Sequence, residues 1–342
     1  MFESRNRKSV GLMLVGLCVL SMWCSVVRGQ VEGFLGRWAL VLPGGPGWLE
    51  VRQESGYLDA DILWIAGSVV PVDSVVLERD TLVITRNSQV VRERDADRNP
   101  IRTQTLSTRL ELQVNGDKMS GKVLTPNRNG IGVAESEFTG KKIPLLPPAP
   151  DLTKVRFGQA IELFNGKDLS GWTLTNPRQE NGFKAIDGAL ANDPVQPGGG
   201  RRLSFGNIKT EQEFGDFNLK VEVQVPTGSN SGIYLRGIYE VQISDSYQQP
   251  LDSHNMGAIY SRIKPTVAAE KPAGQWQQLD ITLCDRHVTV ILNGKTIIDN
   301  QPLLGVTGGA LTADEFSPGP IYLQGDHGPV SYKGMVLRPI VK

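Results

Sequence analysis

Asn230-Ser-Gly-Ile-Tyr-Leu-Arg-Gly-Ile-Tyr-Glu-Val-Gln-Ile-Ser-Asp245 is the stretch whose reading decides the fold. Side chains along a strand alternate between faces. Ile233, Leu235, Val241 and Ile243 therefore share an apolar face, and Tyr234, Arg236, Glu240 and Gln242 share the opposite one. A continuous strand gives this division. A hairpin with Gly237 to Tyr239 as a three-residue loop gives it too, and sets Arg236 opposite Glu240 and Tyr234 opposite Gln242. Either way one wall of a sheet carries an acid, a cation, an amide and an aromatic ring, a set suited to a hydroxyl-rich ligand.

Outward from this stretch the same period recurs. Phe217, Leu219, Val221, Val223 and Val225 alternate with Asn218, Lys220, Glu222 and Gln224, the pattern of a half-exposed antiparallel strand. His287–Leu292, then Asn293-Gly294, then Lys295–Ile298 predicts a hairpin closed by a type I′ turn. Ile321–Gln324 and Val336–Ile340 supply further strands, and no segment carries a long helical period. Residues 155–342 are expected to form a concanavalin-like two-sheet jelly roll. Upstream, Ile143-Pro-Leu-Leu-Pro-Pro-Ala-Pro150 cannot be a central strand or a helix, so residues 143–154 read as an extended linker. Residues 30–142 carry short strand candidates at Trp38–Leu42, Trp48–Arg52, Val75–Glu78, Thr81–Thr85, Leu110–Val114 and Met119–Val123. These predict a small all-β barrel or sandwich. Gly36-Arg37-Trp38 resembles the Gly-x-Trp opening of lipocalin-like barrels. The fold class is all-β throughout.

The 342 residues hold 36 Lys plus Arg against 36 Asp plus Glu, so no charge excess favours nucleic acid. Arg5, Arg7 and Lys8 precede an uncharged run from Ser9 to Val27, and residues 1–29 read as a signal peptide cleaved near Gly29. The expected location is exported: periplasmic, cell-envelope or secreted. Membrane association is expected only if that segment stays uncleaved. Cys18 and Cys24 lie inside it, which leaves Cys284 as the one cysteine of the mature chain and excludes an intrachain disulfide. Cys284 ends an apolar-alternating stretch and reads as a small buried hydrophobe.

The C-terminal part resembles the 3-keto-disaccharide hydrolase domain, long known only as a domain of unknown function. The residues that carry the resemblance begin at Leu163-Phe-Asn-Gly-Lys-Asp-Leu-Ser-Gly-Trp172 and continue through Gly215-Asp-Phe217, Asn230–Ile233 and Tyr239–Ile243. Gly257-Ala-Ile-Tyr260, Gly274-Gln-Trp276, Gly319–Gln324 and Asp326-His-Gly-Pro-Val330 follow in order. Phe183 stands where the family often has Trp, and Tyr332-Lys-Gly-Met-Val336 departs from the usual last strand. The resemblance implies a hydrolase or lyase that cleaves the glycosidic bond of 3-keto-glycosides, in some members by elimination and hydration, and in some with a divalent metal.

A 3-keto group acidifies the hydrogen on C2, so one base, one acid and an enolate-stabilising donor suffice. Glu240 and His327 are the candidate catalytic pair, either one the base and the other the acid. Arg236 and Gln242 are candidates to hold sugar oxygens or the developing oxyanion. Tyr260 and Gln324 are candidate sugar contacts, Asp326 a candidate to orient His327, and Asp245 a candidate metal ligand. The bland alternatives are a cross-strand ion pair between Glu240 and Arg236 on a solvated face, and a turn cap for Asp326. His254 shows no partner in the sequence, and His287 reads as structural. The competing function is a non-catalytic carbohydrate-binding module of the cell envelope, which would need neither Glu240 nor His327.

Overall fold

The computed structural model describes residues 31–198 and 202–341. The export segment expected over residues 1–29 lies outside the described residues. The chain divides into two compact units. One comprises the residues up to Trp38 with Glu50–Asp61 and Pro71–Ile143, and the other comprises Ala39–Leu49, Ile62–Val70 and Pro144–Lys342.

In the first unit, Ser74–Glu78, Thr81–Arg94, Pro100–Asn115, Lys118–Pro126 and Val133–Lys142 pair antiparallel in chain order. They belong to a nine-stranded up-and-down sheet whose end strands are Val70–Pro71 and Ser74–Glu78. Leu82, Ile84, Leu110 and Leu112 are fully buried and alternate along their strands as a core-facing row must. Thr81–Arg94 and Pro100–Asn115 run far beyond the segments the sequence suggested. Their outer halves are mostly polar, with Val90, Val91, Ile101 and Leu106 the apolar exceptions, so no clear alternation marks them.

The second unit contains two further antiparallel sheets. Phe217–Gln224 sits between Trp276–Cys284 and Val330–Val341 in one of them. Phe217, Leu219, Val221 and Val223 are buried as the alternation requires, each stabilising by about 1.5–3 kcal/mol. Asn218, expected to be solvated, is buried instead, because its amide donates to Asp280 Oδ1 (2.6 Å) and Thr282 Oγ1 (3.0 Å) on the neighbouring strand. The hairpin from His287–Leu292 to Lys295–Pro302 turns at Asn293 (φ 51°) and Gly294 (φ 80°), the positive pair a type I′ turn demands. Cys284 is buried.

The other sheet runs, in spatial order, Trp172–Leu174, Ile208–Phe214, Gly319–Leu323, Asn230–Leu235, Tyr239–Ser244. The all-β jelly-roll architecture is therefore present. This last sheet matters for function, because Gly319–Leu323 lies beside Asn230–Leu235 and delivers the Gln324–Pro329 loop to one end of the hairpin.

Candidate active site

The hairpin register differs by two residues from the expected one, an even shift that keeps the faces. Tyr234 pairs with Glu240, Gly232 with Gln242 and Leu235 with Tyr239. The residues that leave the strands are Arg236, Gly237 and Ile238. Arg236 (φ 52°) and Gly237 (φ 68°) both adopt positive φ, and the Ile238 amide donates to the Leu235 carbonyl (3.1 Å), closing a type I′ turn. Tyr234, Glu240 and Gln242 still share a face. Arg236 does not stay with them, and the cross-strand Arg236–Glu240 pair does not form. The guanidinium lies instead against the Glu315 carbonyl and the Tyr239 ring, and it lines a different cavity.

Two rows of side chains cross three strands. Tyr322 pairs with Tyr234 and Tyr234 with Glu240, and the two tyrosine rings stack with centroids 4.2 Å apart. In the next row the Gln324 amide donates to the carbonyl of Gly232, whose other neighbour is Gln242. A Cβ at Gly232 would collide with Glu240 Oε1, so the glycine is the gap into which the carboxyl leans. Tyr234, Glu240, Tyr260, Tyr322, Gln324, Asp326 and His327 line one cavity of about 310 Å³, together with Asn207 and Asn230. Five of the eight candidate site residues therefore converge there. Gln242 is on the same face, 4% exposed, but does not line the cavity.

Glu240 is 3% exposed, and burial pushes its carboxyl up to about 8, although Tyr234 and His327 pull the other way. Hydrogen-bond geometry limits how far the phenol opposes that rise. Tyr234 Oη is 2.9 Å from Glu240 Oε2 and 2.7 Å from the Gly308 carbonyl. A phenol has one proton, and the carbonyl can only accept. That proton is shared between two acceptors, the Glu240 carboxyl and the Gly308 carbonyl, so the support the phenol gives to an ionised Glu240 is divided. The bland reading, a solvated ion pair, fails on burial and on register alike.

His327 is held differently. Its Nδ1 lies 2.7 Å from Asp326 Oδ1, and that bond raises the imidazole above its ordinary 6.5. Nδ1 is thereby committed, leaving Nε2 as the nitrogen available for proton transfer. The loop that carries the pair is clamped at both ends. Asn192 Nδ2 donates to the carbonyls of Gly325 (3.1 Å) and Gly328 (3.0 Å), Asn207 Oδ1 accepts from the Gly325 amide (2.7 Å), Ser229 Oγ donates to the Pro329 carbonyl (2.5 Å), and Ser231 Oγ donates to the Gln324 carbonyl (2.7 Å). Four polar side chains, two from strands and two from the loops that lead into strands, fix one histidine.

The segment Ile62–Val70, part of the same compact unit, adds Ala66 and Gly67 to the cavity wall. The Gly309 amide donates to the Ile65 carbonyl (3.1 Å), and the Val69 amide to Ser261 Oγ (2.9 Å). His254, partnerless in the sequence, has three neighbours: Asp252 Oδ1 at 2.5 Å from Nδ1, Ser68 Oγ at 2.9 Å from Nε2, and the Tyr260 ring edge-on at 4.8 Å. It braces Tyr260. Ser68 comes from a segment remote in sequence that no local signal announced, whereas Asp252 lies two residues away. Tyr322 was legible but overlooked, since it alternates with Gln324 on the strand edge.

Asp245 sits away from the cavity. Its Oδ2 accepts from the Gly228 amide (2.9 Å), and it lines a separate small hollow with Glu270. Among the described residues only Asp216, Cys284 and Asp285 bring three ligating atoms within 4.8 Å of one another, and none of them lines the Glu240 cavity. Neither Asp245 nor the Glu240–Asp326–His327 set brings three such atoms that close together.

Three buried amide oxygens, Asn230 Oδ1, Gln242 Oε1 and Gln324 Oε1, have no hydrogen-bond partner. Buried polar atoms are almost always paired. Together with a carboxyl pushed up by burial and a His–Asp pair, they leave a site rich in unmet hydrogen bonding.

Among curated proteins none matches the chain. Among solved structures, a candidate glycosyl hydrolase from Parabacteroides distasonis ATCC 8503 is 31% identical, with TM-score 0.44, covering 57% of this chain and 94% of that one. A second from the same organism is 20% identical, with TM-score 0.44, covering 53% and 94%. A carbohydrate-binding module from Bacillus subtilis is 12% identical, with TM-score 0.30, covering 48% and 93%. The family described as the 3-keto-alpha-glucoside-1,2-lyase-like domain matches residues 159–338, more than half of the chain and every element of the sheet just described, and the chain belongs to that family.

Proposed function

We propose that the protein is a carbohydrate-active enzyme that cleaves the glycosidic bond of 3-keto-glycosides by elimination followed by hydration. The observation that carries this reading is the pairing, in one cavity, of a buried carboxyl that keeps its proton with a His–Asp dyad. Hydrolysis through an oxocarbenium-like state uses two carboxylates flanking the bond. Here the cavity's two carboxyls are Glu240 and Asp326, and Asp326 is bound to His327. One acid and one imidazole remain, the complement that a C2–H acidified by a neighbouring ketone requires.

In the proposed step His327 Nε2 takes the C2 proton and the electron pair moves onto the C3 carbonyl oxygen. In this reading the side-chain N–H groups of Asn230 and Gln324, both on the cavity wall, stabilise that oxyanion, a role expected of Arg236 but closed to it by the turn. The enolate then collapses, the C1–O bond breaks, a C1–C2 double bond forms, and Glu240 passes its proton to the leaving oxygen. Water adding across the double bond completes a net hydrolysis. The free enzyme must hold one proton between the two groups, so activity rises as His327 becomes neutral and falls as Glu240 ionises near 8. The uncharged run behind Arg5, Arg7 and Lys8 supports export of the protein from the cytoplasm.

The test is release of aglycone from a 3-keto-glucoside and from its unoxidised parent. Release from the keto compound alone is expected, and Glu240→Gln and His327→Ala should each slow it by about a hundredfold or more. Binding of sugar without release from either compound would instead favour the binding-module reading.

A further inference from the structure

We infer that the cavity around Arg236 and Arg286 is a second sugar-binding site, for a neutral pyranose unit. It has a volume of about 500 Å³ and shares no lining residue with the Glu240 cavity. Arg236 and Arg286 are each 6% exposed and Glu315 1%. Arg286 Nη2 bonds Glu315 Oε2 (3.2 Å), Tyr239 Oη donates to the same oxygen (2.7 Å), and Arg236 Nη2 donates to the Glu315 carbonyl. Those bonds do not exhaust the charged groups. Arg236 Nε, Arg286 Nε, Arg286 Nη1 and Glu315 Oε1 are buried and have no hydrogen-bond partner. Unmet bonding on ionised groups is the most costly kind to bury, and four such atoms on three residues of one cavity point to a ligand that completes them.

The lining also states what the ligand is. Two guanidinium groups face three carboxylates, those of Asp216, Asp285 and Glu315, so an anion is repelled on balance and a cation meets the arginines. The missing bonds require acceptors for N–H groups and a donor for Glu315 Oε1. A hydroxyl does both, and the adjacent hydroxyls of a sugar ring match the fork of a guanidinium. Phe316, 56% exposed with Arg286 4.9 Å from its ring centre, gives an aromatic wall against which the C–H face of a pyranose packs. The site would hold a neighbouring glycan unit while the Glu240 cavity acts. The inference does not depend on the 3-keto reading.

The experiment is calorimetric titration of the full chain with cellobiose, maltose and laminaribiose, alongside glucuronate and inorganic phosphate. It is repeated on Phe316→Ala, whose exposed ring can be cut without disturbing the core, and on Glu240→Gln. At least one neutral disaccharide is expected to bind with a Kd in the millimolar range. Phe316→Ala should weaken that binding about tenfold, while Glu240→Gln leaves this component unchanged. Absence of binding by all three disaccharides up to about 50 mM, equal binding by wild type and Phe316→Ala, or a Phe316-dependent response to the anions only, would each overturn it.

Discussion

The two faces of one hairpin hold the same pair of residue types and treat them oppositely. Tyr234 meets Glu240 at 2.9 Å, and Tyr239 meets Glu315 at 2.7 Å. Both carboxyls are almost fully buried. Glu315 has two guanidinium groups beside it. No arginine or lysine lines the Glu240 cavity among the described residues. A buried carboxylate must be paired or must take up a proton. The first solution builds a structural ion cluster, and the second leaves a proton that chemistry can use. The difference rests on the turn, since an Arg236 still in the strand would have brought a cation to Glu240.

Removing each carboxyl breaks that comparison in the most direct way. Glu315→Ala leaves Arg286 without its bonded acceptor, so unfolding free energy should fall by about 3–5 kcal/mol. Denaturant unfolding measures it. Glu240→Gln exchanges a neutral acid for a neutral amide of the same shape, and stability near pH 5 should hardly move. Equal losses in the two variants would show that Glu240 is a structural ion as well.

How much of this was readable in the sequence follows the range of each interaction. The faces of the Asn230–Asp245 stretch were legible, because Ile233, Leu235, Val241 and Ile243 keep a period of two. The hairpin was legible from Gly237. Its register was not, because it depends on Arg236 adopting a left-handed conformation that non-glycine residues rarely take. That single shift moved Arg236 from one cavity to the other. Asp326 beside His327 was legible because the two are adjacent. The clamps on their loop, Asn192 and Ser229 above all, come from segments a hundred or more residues away, and nothing local marks them. The Arg236–Glu315–Arg286 cluster was invisible for another reason: charged residues are expected at the surface, and these are buried.

The pH dependence of folding sharpens the comparison at a smaller scale. An unfolded Glu240 ionises near its ordinary 4.5, the folded one near 8. Between those values the folded protein keeps a proton that the unfolded chain has released, so stability falls as pH rises through the window. Above about 8 both states are ionised and the penalty is complete. His327, raised above 6.5, contributes in the same direction over the upper part of the range. Glu240→Gln removes the larger component. Its melting temperature should match wild type at pH 4.5 and exceed it by several degrees at pH 9, while its activity is lost. Parallel melting curves for the two proteins across that range would mean that Glu240 is ionised in the fold throughout.

The smallest expected effect tests whether the loop clamp serves the histidine or only the fold. Asn192→Ala leaves the Gly325 and Gly328 carbonyls without their amide donor, at a cost of about 1–3 kcal/mol. A structural role alone would end there. If the clamp also fixes His327, kcat should fall about tenfold, a loss of alignment that leaves KM nearly unchanged. The pH at which activity rises should stay where it is, because Asp326 and not Asn192 sets the imidazole. Asn192→Asp discriminates further. It occupies the same space but offers carboxylate oxygens to two carbonyls, so it should be worse than alanine for both kcat and stability. A variant that loses stability while keeping kcat would confine Asn192 to folding, and would leave positioning of the base to Asp326 and the remaining loop clamps.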